Sequence, residues 1–323
     1  MIIEDKSPNA GAPPYLDLEP RLPPEIEHEI LVQAFQISTI NSRMNLLLVS
    51  KRAFTWINPL IYRVVVMNFQ GSYVPPLSSL RKYGTHVVHM RLIGSFSSDP
   101  SSTGFPALLL CPNVTNFVMW STLSSRSIPR LFELRGLKRL LFHHPGSLED
   151  DLIDLHRQLE KDQRSGHGHD RIGGDPILIS RQKWCENITH LAWGTISSDE
   201  TRLPLFTLFP NLTHFLIGGW NSSNVVLEIL RFCPRLEVFI WLLANFDSSD
   251  ATFVIEPSVK GKSLDLGDIR IVTIEGDLIN DWVRGTKGGD DMWVIAERKV
   301  EERRKLQISA SVGNRSDNDV DVF

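Results

Sequence analysis

Three histidines recur at one phase of this chain. His89, His190 and His214 each stand immediately before the second apolar residue of a short repeated pattern. Imidazole is a common metal ligand and general base near neutral pH. His190 and His214 fall where adjacent strands would make them neighbours. Two imidazoles with no third ligand at fixed spacing do not compose a zinc site, so the expectation is a solvent-facing ladder. His167-Gly168-His169-Asp170 offers another metal-like set. It lies in the Gly-rich tract SGHGHDRIGGDP, and no metal is assigned to it. Asp290 and Asp291 bring two carboxylates together but have no partners for metal or acid–base chemistry. Ahead of MWVIAERKVEERRKL they read as helix-start signals, with Trp293, Ala296 and Val300 on one side of the helix. The chain contains no nucleophile elbow, phosphate loop or zinc-protease helix motif. The expectation is no catalytic residue, no metal and no cofactor.

Cys111, Cys185 and Cys233 each lie three residues before the first apolar position of a repeat, where Leu134 and Phe209 sit in other units. That slot reads as buried and apolar, which suits a free cysteine. Strands stacked in sequence order would hold successive cysteines about 10 Å apart, beyond the roughly 7 Å Cα limit for a disulfide. Asn113-Val-Thr, Asn187-Ile-Thr and Asn211-Leu-Thr match the glycosylation pattern. They recur because the repeat recurs, and the expectation is that Asn and Thr satisfy backbone groups at the strand entry.

These residues must be positioned by the repeat. Seven segments share the order apolar, two variable, apolar, one variable, apolar: Val87/Met90/Leu92, Val114/Phe117/Met119, Leu137/Leu140/Phe142, Ile188/Leu191/Trp193, Leu212/Phe215/Ile217, Leu236/Phe239/Trp241 and Ile269/Val272/Ile274. This resembles a degenerate leucine-rich repeat, one short strand per unit. Val226, Ile229, Leu230 and Cys233 make a helical stripe between strands, and Pro112, Pro210 and Pro234 end the preceding runs. The predicted fold is α/β, an irregular solenoid with a parallel sheet and helices on one side. The strand position between the second and third apolar residues reads Arg91, Val118, Leu141, Ala192, Leu216, Ile240, Thr273. If exposed, it is an interaction surface, and Val118, Leu141, Leu216 and Ile240 would contact a protein target. The other arrangement is that the C-terminal helix around Trp293, or an insertion, covers it.

The N-terminal part has a different design. Pro23 and Pro24 suit a helix start, followed by Glu25, Glu27 and Glu29 near its positive end. Ile26, Ile30, Leu31, Ala34 and Phe35 form one stripe; Met44, Leu47 and Leu48 a second; Phe54, Ile57, Leu60 and Ile61 a third, interrupted by Pro59. Tyr62 to Val66 alternates like a strand that starts the sheet. The ordered set Leu22-Pro23-x-Glu25-Ile26, Ile30, Leu48-Val49-Ser50-Lys51-Arg52 and Trp56 resembles an F-box, closest to the F-box-like proteins of mushroom-forming fungi. The fungal resemblance extends to the C-terminal segment from Asp281-Trp282 through Gly288-Gly289-Asp290-Asp291 and Trp293 to Ala296-Glu297.

That resemblance implies a non-catalytic substrate receptor. It would bind a Skp-type adaptor, and through it a cullin ubiquitin ligase, and would hold an unknown protein target by the repeat region. Leu22, Pro23, Ile26, Ile30 and Val49 would contribute to the adaptor contact, while Phe35 and Trp56 fit an internal role better. The alternative is a scaffold outside any ligase, in which the F-box packs against the repeats. The organisation expected is a disordered stretch at 1–20, the helical module at 21–67, and the repeat region at 68–290 with an insertion at 146–180. A C-terminal helix at 291–308 and a disordered tail at 309–323 complete it. The 323 residues carry a net charge of −4 and are 42% hydrophobic, which gives no general attraction to nucleic acid. MIIEDKSPNAGAPP lacks a basic region followed by an apolar run, and no stretch approaches the roughly 20 apolar residues of a membrane span. The expectation is a cytoplasmic or nuclear protein.

Overall fold

The computed structural model describes residues 22–68, 76–94, 104–120, 131–142, 147–164, 176–194, 200–218, 223–243 and 267–316. Residues 1–20, the His167 to Asp170 tract and residues 247–266 lie outside the described residues. The chain divides into two compact units, Met1–Ile61 and Tyr62–Phe323.

Three helices make up the described residues of the first unit. Pro24 occupies the first position of α1 (Pro24–Ile37), where the absent N–H costs nothing, and Glu25 and Glu27 oppose the helix dipole. The Thr39 hydroxyl accepts the Ser42 N–H and caps α2 (Ile40–Leu46). The Ser50 hydroxyl accepts the Ala53 N–H at 3.0 Å and opens α3 (Lys51–Ile61), which continues through Pro59. α1 packs against both other helices. Phe35, Ala53 and Ile57 are buried.

Among its described residues the second unit is α/β, built on one eight-stranded sheet. The strands are β1 (Val64–Asn68), β2 (His89–Ile93), β3 (Asn116–Trp120), β4 (Arg139–Phe142), β5 (His190–Trp193), β6 (His214–Gly218), β7 (Val238–Leu243) and β8 (Ile271–Glu275). They are all parallel and adjacent in chain order. All seven repeat segments are strands, and the alternating run after Ile61 is the strand that begins the sheet.

A recurring tight turn sets the period. The N–H of Val114 donates to the Cys111 carbonyl, Ile188 to Cys185, Leu212 to Phe209 and Leu236 to Cys233. Pro112, Pro210 and Pro234 take the second turn position, where their fixed φ is favourable. The asparagine at the third position reaches back to the preceding turn. Asn113 Nδ2 donates to the Thr85 carbonyl (2.7 Å), Asn187 to Arg135 (3.0 Å) and Asn211 to Glu186 (2.8 Å). The threonine two residues on from each asparagine directs its hydroxyl at a carbonyl of the previous strand entry. Asn and Thr therefore knit neighbouring repeats together. In the first repeat Gly84 fills the cysteine slot, and a Cβ there would lie 2.0 Å from the Leu110 carbonyl oxygen. Only glycine permits that approach.

One sheet face packs on α4 (Leu77–Tyr83), α5 (Gly104–Leu109), α6 (Ser147–Arg164), α7 (Pro176–Asn187), α8 (Ser223–Phe232) and the 3₁₀ segment Glu200–Leu208. Met90, Phe117, Leu140, Leu191, Phe215 and Phe239 line this core, with Cys111, Cys185 and Cys233. The expected insertion at 146–180 is largely helical where described. Leu148, Leu152 and Leu155 of α6 enter the core.

The opposite face carries α9 (Leu278–Thr286) and α10 (Met292–Ser316). Helices thus lie on both faces, not one. A parallel sheet with two apolar faces must bury both. α10 also runs beyond the expected end at 308. The last strand departs from the expected phase by one residue: Phe239 pairs with Ile271 and Ile240 with Val272. Ile271 therefore points into the first core, while Val272 and Ile274 join the second. A one-residue shift exchanges the faces of every side chain. Ile271 and Val272 are both apolar, so local pattern does not distinguish the two registers.

Candidate functional site

In the first unit, all five residues assigned to the adaptor contact are exposed. Leu22, Pro23, Ile26, Ile30 and Val49 lie at the start and outer side of α1 and in the α2–α3 link. Val49 is 68% exposed. Met44, Leu48 and Phe54, members of the second and third apolar stripes, are exposed as well. Helical spacing marks a stripe as apolar but does not say whether it faces a core or a partner. Leu47, Leu48, Ser50, Lys51, Phe54 and Thr55 line a groove of about 450 Å³. Phe35 behaves as the internal residue expected: it is buried, its carbonyl accepts from Arg43 Nε (2.9 Å), and the Arg43 guanidinium lies 4.6 Å over its ring. Trp56 is half-buried, with His28 edge-on at 5.2 Å.

In the second unit, the row expected to meet a target is covered. Val118, Leu141, Leu216 and Ile240 are buried with Leu278, Trp282, Met292, Ala296 and Val300. The covering arrangement is the one adopted, which leaves these four side chains no free surface. Asp277 caps α9, accepting the Ile279 N–H (2.7 Å), and Asp291 caps α10, accepting the Val294 N–H (3.0 Å). Between the helices, Gly288 takes a left-handed φ of 82°. The buried Asp281 carboxylate accepts the Met292 N–H at 2.8 Å and pairs with Arg284. Burial raises its pKa, against the pull of these donors.

Beside the apolar row runs a polar one, joining His89, Asn116, Arg139, His190 and His214 across five strands. The C-terminal helices meet it at three points. Trp282 Nε1 donates to Asn116 Oδ1 (3.2 Å), Asp291 pairs with Arg139 (3.1 Å) and Glu297 Oε1 lies 2.9 Å from His214 Nε2. His190 and His214 stack face to face, 4.1 Å apart and 4° from parallel. Trp293 meets both rings edge-on at 5.3 and 5.8 Å. The pair are strand neighbours as expected, but they do not face solvent: His214 is buried and His190 half-buried.

Their electrostatics follow from that burial. Desolvation lowers the His190 pKa to about 2, helped by the charges of His214 and Arg139. Desolvation lowers His214 to about 4, with Arg139 adding to it and Glu237 and Asp291 opposing. His89 falls to about 4 through burial and the charges of Arg63 and Arg139. All three are neutral imidazoles near pH 7. Glu297 shifts upward through desolvation, aided by Asp291 and Glu237 and opposed by Arg139. A cavity of about 30 Å³ lies between the polar row and the helices, lined by Asn116, Arg139, His190, Asp281, Trp282 and Asp291 among others. The three cysteines are free and buried, and burial pushes each thiol up to about 12. They are packing residues, not nucleophiles.

Among the described residues, His190, His214 and Glu297 are the one group of three metal-type ligands whose donor atoms all lie within 4.8 Å of one another. Sequence reasoning found the histidines and missed Glu297. Its only signal was a place on the sheet-facing side of a helix, one position from Ala296. No helix among the described residues is long and apolar enough to cross a membrane. No protein-family model matches the chain, and no curated protein matches it either.

Proposed function

We propose that this chain is a non-catalytic substrate receptor that docks a Skp-type adaptor, and through it a cullin ubiquitin ligase, by its N-terminal helices. One observation carries the reading: the apolar residues that the F-box resemblance assigns to the adaptor are all left in solvent. Leu22, Ile26, Ile30 and Val49 are each at least 45% exposed, as are Met44, Leu48 and Phe54 of the same unit. Solvated apolar clusters of this kind mark interaction surfaces. The second unit, a leucine-rich-repeat-like sheet, presents the target. Since α9 and α10 cover the row at Val118, Leu141, Leu216 and Ile240, target contact falls to other surfaces of that unit.

The test is co-purification of the full chain with a Skp-type adaptor. The wild type binds, and Leu22→Asp with Pro23→Ala abolishes binding while the far-UV circular dichroism spectrum is kept. Ile30→Asp, at a site 52% exposed, does the same. Undiminished binding by both variants overturns the reading. A wild type that ignores the adaptor but retains other partners replaces it with the scaffold role.

A further inference from the structure

We propose that His190, His214 and Glu297 form a divalent-metal site of the zinc class that fastens the C-terminal helix α10 to strands β5 and β6. The inference is independent of adaptor binding and rests on the hydrogen-bond pattern around the two rings. Nδ1 of His190 lies 2.9 Å from the Thr189 hydroxyl, and Nδ1 of His214 lies 2.8 Å from the Thr213 hydroxyl. Each hydroxyl also faces a backbone carbonyl, that of Lys138 at 3.4 Å and that of Thr189 at 3.2 Å. With the hydroxyl proton directed at the carbonyl, the threonine oxygen accepts from the ring and Nδ1 carries the hydrogen, which is the tautomer a metal bound at Nε2 selects.

The consequence falls on the other nitrogen. Nε2 of each ring then presents a lone pair, and both Nε2 atoms are buried without a hydrogen-bond partner. Glu297 Oε1 stands 2.9 Å from one of them, outside hydrogen-bond geometry. A lone pair facing a carboxylate is repulsive, and buried acceptors without donors are costly. A single cation shared by both Nε2 atoms and the carboxylate satisfies all three groups. The Nδ1–threonine bonds are the outer-shell contacts that orient metal-binding histidines.

The donor set of two imidazoles and one carboxylate suits zinc, with the fourth position left to water. Bonds of about 2.0 Å in a tetrahedron bring ligand atoms to roughly 3.3 Å of one another. The donor atoms here span up to 4.8 Å, so binding turns the stacked rings until their Nε2 atoms converge. Glu297 has a side chain 48% exposed and forms the entry. Arg139, the nearby cation acting on both rings, is paired with Asp291.

Titration of the metal-free full chain with Zn²⁺ by calorimetry, and with Co²⁺ by visible absorption, tests the site. The expected result is one ion per chain, tetrahedral Co²⁺ bands and a zinc-dependent rise in Tm. His190→Gln, His214→Gln and Glu297→Gln each weaken binding at least about tenfold. Glu297→Gln, at a half-exposed position, has a metal-free Tm no lower than the wild type but loses the rise with zinc. His167→Gln with His169→Gln, in the Gly-rich tract, leaves binding unchanged. Absence of 1:1 binding overturns the proposal. So does binding that survives His214→Gln and Glu297→Gln, or binding that is lost instead in the His167/His169 variant.

Discussion

Replacing Trp282 by alanine separates the C-terminal helices from the sheet most directly. Trp282 is 7% exposed and packs with Val118, Leu141, Leu278 and Met292. Its Nε1–H is the donor to Asn116 Oδ1. Tryptophan-to-alanine changes in packed cores cost about 3–5 kcal/mol, and the lost hydrogen bond is about 1 kcal/mol of that. The roughly 30 Å³ cavity already beside the ring enlarges, because the sheet on one side cannot collapse to fill it. At about 2–4 °C per kcal/mol for a domain of this size, Tm falls by roughly 6–20 °C. Trp282→Phe keeps most of the buried ring and loses the donor, so it costs about 1–2 kcal/mol. Urea unfolding followed by circular dichroism measures both values. Binding of a hydrophobic dye below the transition reports whether the row at Val118, Leu141, Leu216 and Ile240 opens. A loss under about 1 kcal/mol for Trp282→Ala, with no gain in dye binding, would refute the covering role of α9 and α10.

The one-residue register of β8 makes Ile271 a core residue beside Phe239. Ile271→Ala therefore costs about 2–5 kcal/mol in urea unfolding, and a change below about 1 kcal/mol would restore the register expected from the sequence. The depressed histidines set the acid response. Their folded pKa values, about 4 for His89 and His214 and about 2 for His190, lie below the ordinary 6.5, so the unfolded chain binds more protons in between. Stability from the neutral rings is complete above about pH 6.5 and falls as pH drops toward 4. Each ring contributes a slope of up to about 1.4 kcal/mol per pH unit. Glu297, shifted upward, acts in the opposite direction. In metal-free protein, the His190→Gln, His214→Gln double variant flattens the fall between pH 6.5 and 4. An unchanged slope would contradict the burial of the pair.

Much of the fold is legible in the sequence because its signal is local. The turn at Cys111-Pro112-Asn113-Val114 is written in four consecutive residues, and its repetition at Phe209-Pro210-Asn211-Leu212 gives the period without reference to anything distant. The phase of His190 and His214 follows from that period. So do the buried cysteine slots and the role of the Asn-x-Thr triplets, since stacking identical turns places identical side chains side by side. The helix start at Asp291 is equally local, a carboxylate preceding an amphipathic run. Tertiary structure decided the rest. An apolar row at Val118, Leu141, Leu216 and Ile240 looks the same in sequence whether a partner or the chain's own α10 covers it, because hydrophobicity is non-directional. The register of β8 was undetermined while Ile271 and Val272 were interchangeable to a period-two pattern, and pairing with β7 chose between them. Glu297 joined His190 and His214 only when α9 and α10 folded back across the sheet, a meeting that depends on where two distant elements cross and has no periodic trace in the chain.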